Sequence, residues 1–442
     1  MYSDPKRTDS RAGIQPNASG AWRAVFIMQF LYIIAMIDRN LISLMVGPIK
    51  QSLQISDFQI SLLQGTAFGL FYATCGLLTG WLLDRFSRRK VVYWGISLWS
   101  VCAASCGLAR TYGQLMLARF GVGAGEAVLS PASYAMLSML FPRERLGFAI
   151  GVYGIGAILG GAISLSLGGM VIAWMASMGS VMLPIIGEVE PWQATFILFG
   201  LPGIVIAPIV FLISSRADRP AVAISERPHS TFGAFLRVRR AYLTWHFFGF
   251  GLVTLLAYGH AAWFPTYLVR HFHLNMAAIG NILALSTAIG GVAGFLSAGA
   301  IADRWFGRGT TDAHFRYALI ATLALTVVGV CTFLVNSLVI SIIFAGICYM
   351  LFSISGLAAA HLQIITPPEL RARTSALYLF VINVIGLCTG PSMVAAFTDF
   401  LFRNPDRVGS SLMLTYAIFG PLAVTAFWMG RAPARQAVAD SL

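Results

Sequence analysis

Four residues that ionise lie inside long apolar stretches: Asp38, Arg39, Arg119 and Glu126. A charge at bilayer depth costs at least about 2.5–3.5 kcal/mol, so such groups face a protein interior and mark a pathway or a proton relay. Arg119 and Glu126 are seven residues apart, two helical turns along one face and about 10 Å between backbones. That is too far for an i,i+4 pair, yet close enough for Arg119 to be shared between Glu126 and Asp38. Protonating one carboxylate would then release Arg119 to the other, which makes Asp38, Glu126 and Arg119 a candidate proton-coupling set. With all four ionised the set is neutral, so a static ion-pair network is the competing reading. Arg39 and Arg119 are also candidates for holding an anionic substrate group.

Other groups in apolar runs are weaker candidates for substrate contact. His260 and His361 lie deep in their segments, and imidazole titrates in the useful range. Trp263 and Asn383 complete the set, because an unpaired amide in lipid is costly. His246 lies nearer a helix end, and Tyr72, Tyr153, Phe264 and Tyr378 belong to a large aromatic population. The sequence holds no catalytic pair, no metal-ligand spacing and no phosphate-cradling loop, so the expectation is no enzyme, no metal and no bound cofactor. The six cysteines all fall in apolar runs and read as packing groups.

These residues need helices in a membrane to hold them. Of 442 residues, 57% are hydrophobic and 11% charged, against roughly 25% charged in a soluble domain. A spanning helix takes about 20 mostly apolar residues. Twelve runs qualify: 24–47, 57–83, 91–109, 113–139, 147–173, 192–213, 242–268, 276–302, 316–334, 338–365, 371–398 and 411–430. With both ends on one side, the tails and even-numbered connections hold 23 of the 30 Lys and Arg, and the opposite loops hold five. The positive-inside rule then puts both termini in the cytoplasm of an inner-membrane protein. The dispersal of charge argues against nucleic acid as a partner. The expected organisation is a cytoplasmic tail (1–23), a six-helix bundle (24–213), a cytoplasmic linker (214–241), a second six-helix bundle (242–430) and a cytoplasmic tail (431–442). Residues 174–191 read as a hairpin or a helix extension at the opposite face.

An internal repeat supports two halves. Gly80-Trp-Leu-Leu-Asp84-Arg85-Phe-Ser-Arg88 follows span two, and Gly299-Ala-Ile-Ala-Asp303-Arg304-Trp-Phe-Gly307-Arg308 follows span eight, 219 residues later. Paired six-helix repeats suit alternating access around a midplane site. Gly80, Asp84, Arg85, Arg88, Gly299, Asp303, Arg304 and Arg308 are read as conformational latches. Asp84 is expected to meet span eleven near Glu369–Arg371 when the cytoplasmic side closes.

These motifs resemble the major facilitator superfamily, with Ser87 standing where its loop pattern prefers Gly and one extra residue in the second copy. Arg119-Phe-Gly-Val-Gly123-Ala-Gly125-Glu126 resembles its fourth-span arginine motif. Met36-Ile-Asp38-Arg39, Gly123-Ala-Gly125-Glu126 and Asn383-Val-Ile-Gly386 with Gly390-Pro391 resemble the spinster branch. The resemblance implies an all-α membrane protein of twelve transmembrane helices in two bundles, working by alternating access. Its central cavity would be lined by spans one, four, seven and ten. The implied function is a proton-coupled secondary transporter of an amphipathic, lysophospholipid-like or sphingoid molecule. The alternatives are a proton-coupled organic-anion or drug transporter of the same superfamily and, from a different class, a non-transporting membrane receptor. A proton gradient would supply the energy, and a monomer in the bilayer is expected.

Overall fold

The computed structural model describes residues 18–184, 187–218, 230–367 and 370–440. Span one is Ala18–Leu44, span two Asp57–Arg85, and span three Arg88–Cys106. Span four comes in two pieces, Tyr112–Glu126 and Leu129–Leu140. Span five is Arg143–Met178 and span six Pro191–Leu212. In the second half, span seven is Arg240–Phe272, eight Met276–Gly307 and nine Ala313–Leu334. Span ten is Leu338–Ile365, eleven Arg373–Phe402 and twelve Val408–Ala439. The chain is an all-α, multi-pass membrane protein of twelve spans. Ten of them are long and apolar enough to cross a membrane. Span three falls short because it opens on Arg88-Arg89-Lys90. Span four is broken directly after Glu126.

Several elements run differently from the expectation. Span five continues to Met178 and is followed by an antiparallel hairpin, β1 (Val181–Leu183) with β2 (Gly187–Val189), so extension and hairpin are both present. The linker includes a short helix, Ser230–Val238, and its residues 219–229 lie outside the described residues. The segment 431–442, read as a tail, begins as the last turns of span twelve, which is helical through Ala439. Tail residues 1–17 lie outside the described residues.

Packing between the halves is uneven along the membrane normal. One buried cluster joins spans one to six to Trp263, Phe264, Leu283, Val394 and Leu412, all at the end away from the basic loops. The basic end of the second half has a core of its own, built on Phe250, Phe315, Leu362, Tyr378 and Phe427. The hydrogen bonds between halves follow the same division. Arg270 to Asp57, Phe58 N–H to Asp399, Thr66 to the Cys388 carbonyl and Ser166 to Asn281 all lie at the far end or mid-span. Among the described residues, no ion pair joins the halves at the basic end. Among the described residues, the polar contacts between the halves are therefore concentrated at the far end and mid-span.

Two glycines decide where span four sits. A Cβ at Gly123 would lie 2.3 Å from the Phe68 carbonyl oxygen of span two, and one at Gly125 would lie 2.6 Å from the Trp99 backbone nitrogen of span three. Only hydrogen at these positions allows backbone contact on both sides, and that contact brings Arg119 and Glu126 into the bundle interior.

Candidate functional site

Asp38 and Arg39 are consecutive on span one, so their side chains leave the helix about 100° apart. Arg39 turns toward the space between the halves, its side chain 14% exposed, and reaches Glu126. Its terminal nitrogen donates to Glu126 Oε2 at 2.7 Å and its Nε to the same oxygen at 3.2 Å. The guanidinium also lies over the rings of Phe68 (4.6 Å) and Tyr72 (4.8 Å), an attraction that holds a cation with few hydrogen-bond partners. Asp38 turns inward, 3% exposed, with Trp99 beside it and Glu126 and Arg119 as its charged neighbours.

Arg119 is not shared between the carboxylates in this conformation, which corrects the expected pairing. It is 1% exposed, its Nε donates to the Leu63 carbonyl at 3.3 Å, and one terminal nitrogen has no partner. Its guanidinium lies 5.3 Å from the Phe68 ring. The reason is local: Leu62–Ala67 is wound as a π-helix, which disrupts the i→i−4 ladder and presents Leu63 O to span four. Glu126 Oε1 is likewise buried and unpartnered. Two cations and two carboxylates thus share one site with a single close ion pair among them. One buried donor on Arg119 and one buried acceptor on Glu126 are left over.

Tyrosines surround this set. Tyr32 stacks on Tyr153 at 5.3 Å, and Tyr134 meets Tyr153 edge-on at 5.7 Å. Tyr258 of span seven neighbours Arg39 and Tyr72. Spans one, two and seven each contribute one phenol beside Arg39, namely Tyr32, Tyr72 and Tyr258, and Tyr153 and Tyr134 of spans five and four continue the aromatic row from Tyr32. Tyr32, Tyr134 and Tyr258 escape a sequence reading because aromatic residues are common throughout the chain and no spacing distinguishes these. Asp57 and Arg270, which pair across the halves, are also missed. Their signal is sign: they are opposite charges at matching ends of spans two and seven.

The second-half candidates are placed elsewhere. His260 is fully buried, its Nδ1 is 2.9 Å from the Tyr416 hydroxyl, and its ring stacks on Phe264. His361 is fully buried with Nδ1 3.0 Å from the Tyr242 hydroxyl, next to His314 and His246. Trp263 donates its indole N–H to the Pro391 carbonyl at 2.9 Å and has no exposed surface. Asn383 is half-buried and opens a π-helix, Asn383–Cys388. None of these four hydrogen-bonds or ion-pairs with the charged set.

The repeated loops divide between two roles. Asp84 and Asp303 are exposed and make no ion pair among the described residues, and Gly80 has open space beside it. Arg85 lies over Trp81 at 4.4 Å, while Gly299 is half-buried and Arg304 and Arg308 are exposed. The expected partner Glu369 lies outside the described residues, and Arg371 donates to the Thr366 carbonyl instead. Arg88 is not part of a free latch. It is 4% exposed and donates to the Ala135 carbonyl, tying span three to span four. Beside it, Asp218 accepts from Ser87, from the Arg89 backbone and from Arg89 Nε, which ties span three to the end of span six. The second half has the same tie with its charges exchanged: Asp312 at the start of span nine holds Arg431 of span twelve at 2.7 Å.

A family model described as "Major Facilitator Superfamily" matches residues 28–391. The chain belongs to this superfamily. It is 27% identical over 427 residues to an MFS-type efflux pump of Mycolicibacterium smegmatis, covering 95% of each chain. It is 25% identical over 300 residues to a probable L-galactonate transporter of Escherichia coli, covering 65% of this chain and 62% of that one. Among solved structures it is similar to a bacterial homologue of the human lysosomal transporter spinster in an inward-facing, unoccupied conformation. The TM-score is 0.76 at 22% identity, over 97% and 98% of the two chains. That likeness carries the fold, and membership of the superfamily makes the chain a transporter of the major facilitator type.

Proposed function

We propose that this transporter is a proton-coupled, alternating-access carrier of an amphipathic organic anion, with Glu126, Asp38, Arg39 and Arg119 as its coupling site. The observation that carries the reading is the Arg39–Glu126 pair beside the phenols of Tyr32, Tyr72 and Tyr258. Arg39 is the more exposed of the two cations, so an anionic substrate group competes with Glu126 for it. Released from Arg39, Glu126 would be a bare buried carboxylate, which takes a proton in preference to remaining charged. Arg119, with one nitrogen unengaged, stands ready for Asp38 or Glu126 as the charge changes. Binding of anion and proton are thereby linked through one guanidinium.

The positive-inside bias supports a reading with both termini in the cytoplasm of the inner membrane, in which the basic end is the cytoplasmic one. Asp84 and Asp303, exposed and without an ion pair among the described residues, act as latches that engage as the basic end closes. A lysolipid or sphingoid-type substrate suits the aromatic wall, working with a monomeric protein. A second reading, a small hydroxylated acid, is favoured by the same phenols, whose hydroxyls can bond a sugar acid, and by the likeness to the L-galactonate transporter. Uptake into proteoliposomes under an imposed pH gradient separates the readings, with oleoyl lysophosphatidate, sphingosine phosphate and L-galactonate as probes. One coupled proton sustains about a tenfold gradient per pH unit. A wild-type protein that equilibrates all three without accumulation would overturn proton coupling.

A further inference from the structure

Three buried imidazoles meet at the basic end of the second half, away from the coupling site. His246 of span seven, His314 of span nine and His361 of span ten have at most 1% of their surface exposed. The His361 ring centroid lies 4.9 Å from that of His314 and 6.2 Å from that of His246. His246 Nε2 is 3.1 Å from the Ala358 carbonyl of span ten. A carbonyl only accepts, so Nε2 carries the proton and Nδ1 is left with a lone pair. That Nδ1, the Nδ1 of His314 and the Nε2 of His361 are all buried without a partner, as is the hydroxyl of neighbouring Tyr378. A buried unsatisfied group costs about 1–3 kcal/mol. Three adjacent histidines with one unpaired nitrogen each are therefore a poor way to build a core, and a good way to accept a ligand.

The groups facing the cluster decide what that ligand is. Tyr242 of span seven holds His361 Nδ1 at 3.0 Å, and Tyr378 of span eleven meets His246 edge-on at 5.3 Å. Asp303, exposed at the end of span eight, is the charged neighbour of His314. Asp312 stands two residues before His314 but is held by Arg431 of span twelve, with Arg435 beside it. Among the described residues, no group of histidines, cysteines and carboxylates is placed to hold a metal ion. The remaining ligand for an unpaired imidazole nitrogen is a proton. On the packed cluster a proton would be a bare buried cation, so its uptake requires water, or Asp303, to reach the ring. We propose that His246, His314 and His361 form a second proton-accepting site, which takes up protons from the basic side and loosens spans seven, nine and ten from one another there. The change stays within the second half and does not part the two halves. It rests on neither the substrate nor the coupling site.

Hydrogen exchange at the backbone of segments 242–250 and 355–365, corrected for the intrinsic pH dependence of amide exchange, reads this loosening. An imidazole that gains its proton only on opening, with the ordinary value near 6.5, raises the open population about tenfold between about pH 7.5 and about pH 5.5. Exchange should rise by at least that factor in the wild type and equally in Asp38→Asn/Glu126→Gln. The triple variant His246→Gln/His314→Gln/His361→Gln should be indifferent to pH, and each single variant should show a smaller rise than wild type. His260→Gln, a buried histidine outside the cluster, should leave the rise intact. No acid response in the wild type overturns the site, as does a response that survives the triple variant. Loss of the response in Asp38→Asn/Glu126→Gln would assign it to the coupling site instead. An equal loss in His260→Gln would trace it to general loosening. If the triple variant does not fold, single variants that all respond like the wild type overturn the proposal.

Discussion

Gly123→Ala places a methyl group where span four touches span two. Its carbon would lie 2.3 Å from the Phe68 carbonyl oxygen, 3.1 Å from that carbonyl carbon and 3.2 Å from the Phe68 Cα. All three atoms are backbone and cannot swing aside, so relief requires span four to move outward by about 1 Å. Overpacking of this kind costs about 1–3 kcal/mol. The displacement also falls on the coupling site, because Glu126 lies one turn from Gly123 and Phe68 carries both guanidiniums on its ring. Lengthening the 3.2 Å Arg39 Nε–Glu126 contact by about 1 Å breaks it. Gly113→Ala, on the same helix with nothing within 4 Å, is the control, and should be neutral or stabilising by about 0.5–1 kcal/mol. Thermal unfolding in detergent and pH-gradient-driven uptake read the two effects. The expected result is a lower melting temperature and at least about a tenfold loss of driven uptake for Gly123→Ala only. Equal melting temperatures and uptake for the two variants would refute the packing argument.

Burial raises the Asp218 carboxyl, but the Arg89 backbone N–H, the Ser87 hydroxyl and the Arg89 guanidinium outweigh it and hold the group below the usual carboxylate range. Its stabilisation is therefore present above the unfolded value of about 3.9 and is lost as pH falls through the folded one. Asp218→Asn should cost about 0.5–1 kcal/mol near neutral pH, discounted for partial exposure, and flatten the acid limb of a stability-against-pH curve; an unchanged limb would assign it elsewhere. Asp312→Asn should loosen spans nine and twelve, seen as faster hydrogen exchange at the end of span twelve, with no change at span three. Asp84→Asn should raise cysteine labelling at the basic end, and labelling equal to wild type would rule out a latch at Asp84. Trp263→Phe loses one buried hydrogen bond to Pro391 and should cost about 1 kcal/mol in melting while leaving substrate affinity intact; a loss of affinity would return Trp263 to the binding site.

The spans, the two halves and the four embedded charges were legible in the sequence because a bilayer permits so few alternatives. Long apolar runs, loops carrying 23 of 30 basic residues and the Asp84 and Asp303 repeats each have one simple physical reading. The pairing within the charged set was not legible. It depends on how far span one is rotated, which sends Arg39 rather than Arg119 to Glu126. It depends also on the π-turns at Leu62–Ala67 and Asn383–Cys388, which no residue pattern announces. The break in span four had a signal in Pro131, two residues into its second piece. His260, Trp263 and His361 looked available in sequence because a polar residue in an apolar run implies a partner without naming it. Their partners are Tyr416, Pro391 and Tyr242, inside the second bundle.

Proton coupling through Glu126 and Asp38 is tested most directly without any substrate, by following the basic end as pH changes. Spin labels at Lys90→Cys and Gln436→Cys, exposed on opposite halves, report its opening between pH 5 and pH 8. The two distances should exchange population across this range, and Glu126→Gln with Asp38→Asn should hold one population at every pH. A distribution indifferent to pH, or a pH response that survives both substitutions, would contradict proton coupling at this site.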